Sequence, residues 1–148
     1  MKSILVAYDG SENSKLALEK AIKISKHNET AVVVINVIPP ELSESSLSKM
    51  LLPGIKVQDV IRPGGFKASA TGMVEEAVKK AKGDGVNKVK GIVKEGDAAD
   101  EIINAAEKLD CEMVILGCRG YAKQGRFLLG SVADKVVRYS TKSVLVAR

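Results

Sequence analysis

Five short apolar runs recur along the chain, each separated from the next by a longer stretch of helical periodicity, and that alternation leaves few folds open. The runs are SILVAY (3–8), AVVVINVI (31–38), NKVKGIVK (87–94), MVILG (113–117) and SVLVA (143–147). Most are continuous rather than alternating, as strands buried on both faces must be, and the second is almost wholly β-branched before Pro39-Pro40 stops it. The third alternates, which predicts a strand nearer an edge. Between them, Ala17, Leu18, Ala21, Ile22 and Ser25 share one helical face, as do Ala70, Met73, Val74, Ala77, Val78 and Ala81. A third helix carries Ala99, Ile102, Ile103, Ala106 and Leu109 behind Asp97, a candidate N-cap, and Val132, Val136 and Val137 mark a fourth. The order is β-α-β-α-β-α-β-α-β. It predicts one parallel sheet with helices on both faces, a three-layer α/β/α domain spanning residues 1–148. Residues 41–67 are Ser-rich, with Pro53-Gly54 and Pro63-Gly64-Gly65, and read as a loop with a partial helix.

A chain of 148 residues can bury a substantial core, and 45% hydrophobic with 28% charged residues is globular composition. Net charge is +5, but the cations are interleaved with Glu, and aromatics are 3% with no Trp. A solvated basic surface is the expectation, with no nucleic-acid partner, because stacking platforms are scarce. No stretch reaches membrane-spanning length, and MKSILVAYDG does not read as a signal peptide. Cys111 and Cys118 flank one strand too widely for a local bridge, and with a single histidine, His27, no zinc site is expected. Free thiols point to a reducing compartment, and the expected location is the cytoplasm.

In doubly wound sheets, ligands bind outside the carboxyl ends of the strands where the winding reverses. The segment GCRGYAKQGRFLLGS (117–131) starts at such an end. Gly117 closes the strand and Gly120 can turn the chain sharply. Gly130 and Ser131 open the last helix, whose first-turn N–H groups and dipole suit a phosphate. Arg119, Lys123 and Arg126 add positive charge. Taken alone, the same pattern serves equally as a bare turn, with Ser131 as an N-cap, and it is not a P-loop.

Together these residues carry a resemblance. Gly117-x2-Gly120-x9-Gly130-Ser131 resembles the nucleotide-binding signature of the ATP-binding universal stress protein family. ILVAYDGSENS is similar to that family's first strand and turn, EGDAADEIINAAEKLDCEMVILG to its third helix and fourth strand, and LLGSVADKVVRYSTKSVLVAR to its last helix and strand. Only about 41–67 falls outside the likeness. The resemblance implies a Rossmann-like, adenine nucleotide alpha hydrolase-like sheet of order 3-2-1-4-5. It implies ATP as ligand, with Asp9 beside the ribose, Ala7 bordering the adenine and Val37 offering it backbone groups. Gly117 and Gly120 would approach the ribose and phosphates, and Gly130, Ser131 and Val132 would hold the phosphates. Tyr8, Leu116 and Arg119 complete the candidate set at the ends of strands 1 and 4. Asp9 has a second reading, as the cap of its own DGS turn, and as a single carboxylate it makes a poor Mg site alone. Two departures stand out: Ser140 to Ser143 replace a loop that often contains Pro, and Cys118 occupies a position that often holds Ser or Thr, where it reads as a small filler rather than a redox switch.

The expected function is a nucleotide-dependent regulatory switch in a stress response, with a protein partner that the residues do not identify. It is expected to be a homodimer through the uncharged fifth strand. The alternatives are a slow ATP hydrolase and a scaffold that does not use nucleotide. No catalytic residue is assigned: His27 is remote, and no acidic residue stands between Gly117 and Val132.

Overall fold

The computed structural model describes residues 1–55, 65–119 and 129–148. Five parallel strands form one sheet: β1 (Ser3–Ala7), β2 (Ala31–Ile38), β3 (Val89–Glu95), β4 (Met113–Gly117) and β5 (Ser143–Ala147). Their order is β3-β2-β1-β4-β5. The chain therefore winds outward twice from the centre, first through β2 and β3 and then through β4 and β5. Because crossovers between parallel strands are right-handed, the reversal puts the two sets of helices on opposite faces. On one face lie α1 (Glu12–Asn28) and α3 (Gly65–Gly83); on the other lie α4 (Ala98–Lys108) and α5 (Ser131–Tyr139). A short α2 (Glu44–Met50) follows a 3-10 turn at Pro40–Leu42.

Two cores explain why the central strands read as unbroken apolar runs. Ile4, Val6, Val32 and Val34 point to α1 and α3, where they meet Ala17, Leu18, Ala21, Val74 and Ala77. Their neighbours Leu5, Val33 and Ile35 point the other way, to Ala99, Ile102, Ala106 and Val136. Successive side chains on a strand alternate faces, so only an all-apolar strand fills both cores. Edge strand β3 exposes Lys90, Lys94 and Glu95, which accounts for its alternation. Gly91 is small because α3 lies directly on it: a Cβ there would sit 2.1 Å from Val74 Cγ1.

Each helix that follows a strand starts at the same edge of the sheet. Ser11 caps α1, its hydroxyl accepting from the Ser14 N–H, and Asp97 caps α4 by accepting from the Asp100 N–H. Boundaries shift slightly from those expected: β1 ends at Ala7, although the Tyr8 N–H still reaches the Ile35 carbonyl at 2.9 Å, and β3 runs 89–95 rather than 87–94. Helix α3 begins at Gly65, five residues before the first periodic position, and α2 supplies the partial helix expected within 41–67. Of the valines that mark α5, Val137 is 46% exposed, whereas Val136 is buried with Ala133.

Candidate functional site

Where the winding reverses, β1 and β4 lie side by side and the helices that follow them diverge to opposite faces. A cavity of about 250 Å³ opens in the gap. Its floor is apolar, made by Ala7, Ile35, Val37 and Leu116 at the strand ends. Tyr8, Asp9, Ser11, Ser14, Gly117 and Arg119 form one rim, and Gly130, Ser131, Val132 and Ala133 of the α5 start form the other. Every described member of the candidate set is therefore in one place; Gly120, like Lys123 and Arg126, lies outside the described residues. Ser11, Ser14, Ala98 and Ile102 also line the cavity and were not anticipated. The start of α4 at Ala98 was readable from its cap, but nothing in the sequence says that α4 leans over this end of the sheet.

Local chemistry places each rim residue. The Asp9 Oδ1 accepts from the Ser11 N–H at 2.9 Å, an Asx turn, and Gly10 between them has φ 82°, which only glycine adopts without strain. Asp9 thus does cap its own turn. That contact uses one carboxylate oxygen and holds the group at the mouth of the cavity.

Gly117 has a packing reason as well. A Cβ at this position would lie 2.6 Å from Asn13 Cβ, 2.7 Å from its carbonyl carbon and 2.9 Å from its oxygen. The first turn of α1 thus passes against β4 so closely that no side chain fits. The glycine is set by helix–sheet packing, whatever approaches from the cavity. Just beyond it, the Cys118 N–H donates to the Ala147 carbonyl (3.0 Å) and the Cys118 carbonyl accepts from the Gly130 N–H (2.7 Å). One residue therefore ties the ends of β4 and β5 to the start of α5.

Gly130 is the N-cap of α5, with φ −61° and ψ 158°, and gives no side-chain cap hydrogen bond. Ser131 is the first helical residue, so it is not the cap. The first turn of α5 meets the cavity without a side-chain cap from its N-cap residue, unlike α1 and α4, which are capped by Ser11 and Asp97. Behind the α4 and α5 walls, the Lys135 ammonium bridges Asp97 (3.0 Å) and Asp100 (2.9 Å). The Asp100 backbone N–H, then Lys135, hold the Asp97 carboxyl below its usual range, and the two carboxylates raise Lys135.

Among the described residues, no group of three or more His, Cys, Asp or Glu could hold a metal ion, and no helix is long and apolar enough to cross a membrane. Cys111 and Cys118 are both free and buried. His27 lies exposed at the far end of α1, its Nδ1 2.9 Å from the Lys23 carbonyl.

A doubly wound parallel sheet with a cleft across its switch point defines the class of α/β proteins whose ligand sites, where present, lie at the carboxyl ends of the strands. Within that class the chain belongs to the universal stress protein family, whose model matches residues 1–148. It is 32% identical over 146 residues to the universal stress protein YxiE of Bacillus subtilis, covering 98% of this chain and 97% of that one. Its fold matches that of a universal stress protein solved in complex with cAMP (TM-score 0.73, 20% identity, 99% and 96% of the two chains). It also matches the Archaeoglobus fulgidus universal stress protein solved with dAMP (TM-score 0.69, 20% identity, 100% and 98%).

Proposed function

We propose that the protein is a nucleotide-dependent regulatory module that holds ATP in the switch-point cleft, in the manner of the ATP-binding members of its family. One observation carries this reading. A single cavity gathers the apolar ends of β1, β2 and β4, the Asp9 carboxylate, Arg119 and the uncapped start of α5. Its volume of about 250 Å³ is just below the roughly 300–1,000 Å³ of pockets that enclose a drug-sized ligand. That suits a base and ribose inside, with phosphates reaching out to the helix end. Ala7, Val37 and Leu116 supply apolar surface to the base, Asp9 accepts from ribose hydroxyls, and the N–H groups at Ser131 and Val132 take the phosphates. Two fold relatives solved with adenine nucleotides, cAMP and dAMP, support the ligand class. With one nearby carboxylate, any divalent ion arrives with the triphosphate and not through a protein cage.

The role proposed is binding, not catalysis: among the described residues the only carboxylate lining the cleft is Asp9, whose Oδ1 is engaged by the Ser11 N–H, and His27 is remote. The proposed unit is a dimer paired through β5. Ala147 accepts from Cys118 across the β4 ladder, so by strand alternation the N–H groups of Val144 and Val146 point to the open edge. Val144, Leu145 and Val146 are only half-buried in the single chain, and Val137 and Tyr139 of neighbouring α5 are exposed.

Gly130→Val tests the site. Its backbone angles are ordinary for any residue, so the fold should survive while the side chain blocks the helix end. ATP affinity measured by calorimetric titration should fall at least about tenfold, the loss of roughly one phosphate contact. Equal affinity in the two proteins would show that the phosphates do not bind there.

A further inference from the structure

We propose that Asn13 and Asn36 are positioning residues that brace the two lips of the cleft, an inference that rests on reading the cleft as a nucleotide site. Just past its strand, a backbone carbonyl leaves the sheet ladder and needs another donor when partly buried. At β1 that carbonyl is Tyr8, which accepts from Asn36 Nδ2 at 2.7 Å; at β4 it is Arg119, which accepts from Asn13 Nδ2 at 3.2 Å. Both acceptors are carbonyls, so each amide must present its NH2 side. The two residues come from different elements, β2 and the first turn of α1, yet make the same contact on opposite sides of the switch point.

Each brace holds a different part of the site. Asn36 fixes the peptide that leads into Asp9, and its amide also lies 3.6 Å from Met73 Sδ, which joins α3 to the same corner. Asn13 fixes the peptide of Arg119, and its Cβ fills the space that Gly117 leaves open. Asn36 therefore governs the ribose side of the cleft and Asn13 the phosphate side. Side-chain orientation at a site has to be held by supporting hydrogen bonds of this kind, because a loop end alone does not fix it.

The test is titration of adenosine and of ATP into the wild type, Asn13→Ala and Asn36→Ala, with hydrogen exchange of the unliganded proteins. Alanine removes the donor without adding charge, and at position 13 it favours the helix, so α1 is not weakened. Asn13→Ala should lose ATP affinity about tenfold while adenosine changes less than about twofold, and Asn36→Ala should lose both about tenfold. Exchange should quicken at residues 8–11 in Asn36→Ala and at 117–119 in Asn13→Ala. Affinities and exchange both unchanged would overturn the proposal, as would an equal loss of both ligands in Asn13→Ala, which marks a merely structural role. If the wild type binds neither ligand, the nucleotide reading falls and exchange alone decides: faster exchange at those segments upholds the bracing, unchanged exchange refutes it. Should Asn36→Ala fail to fold, Asn36→Ser is measured in the same way.

Discussion

Replacing Gly117 with alanine separates two accounts of the glycine. If it is there only to let a ligand approach, a methyl group should weaken binding and leave the unliganded protein as stable as before. The structure argues otherwise. The added carbon would lie 2.6 to 2.9 Å from three atoms of Asn13, two of them backbone, so no side-chain rotation relieves the clash. Relief requires α1 to move off the sheet, which would loosen Ser14, Ala17, Leu18 and Ala21, all buried beneath it. Overpacking against an immobile neighbour costs about 1–3 kcal/mol, and contact with helix backbone belongs at the upper end. For a domain of this size, about 2–3 kcal/mol lowers the Tm by roughly 5–10 °C. Gly72→Ala is the matched control: it lies within α3 with nothing inside 4 Å of the new Cβ. It should gain roughly 0.5–1 kcal/mol from reduced chain entropy and better helix propensity. Thermal unfolding of the nucleotide-free proteins by circular dichroism reads both. A Gly117→Ala protein that melts within about a degree of wild type would refute the packing argument.

Other consequences are checked more simply. Val146→Pro should turn a dimer into a folded monomer in sedimentation at micromolar concentration, because the lost N–H faces the open edge of β5; a variant that still dimerises, or a monomeric wild type, removes β5 as the interface. Asp97→Ala should cost about 1 kcal/mol in urea unfolding at neutral pH through loss of the α4 cap. Since the Asp97 pKa is lowered by folding, its contribution is present above the unfolded value and lost as pH falls through the folded one. The gap between wild type and Asp97→Ala should therefore shrink as the buffer is taken from pH 6 to below about pH 4; an unchanged gap would show that the charge on Asp97 is irrelevant. Multiple-turnover phosphate release from ATP should be negligible, and turnover abolished by Asp9→Ala would make the protein an enzyme.

Much of this architecture is written locally. The β-branched run 31–38, the helical spacing of 17–25 and the Asp97 cap each depend on residues a few positions apart, and a parallel sheet follows from their alternation. The strand order 3-2-1-4-5 came through family likeness and the fold bears it out; Asp9, Val37 and Ser131, named through the same likeness, line one cavity. What tertiary structure alone decided are distances between distant segments. Gly117 reads as the glycine that closes a strand until α1, more than a hundred residues earlier, is seen lying on it. Asn13 and Asn36 look like ordinary polar residues of a helix and a strand until their amides meet carbonyls 106 and 28 residues away. Ile102 reads as a core position, and it and Ala98 become cleft walls only because α4 and α5 lean together behind the Lys135 bridge. Periodicity tells which face of an element is buried. It carries no information on how near a neighbouring backbone will come, because that distance is set by how all the side chains between two elements pack.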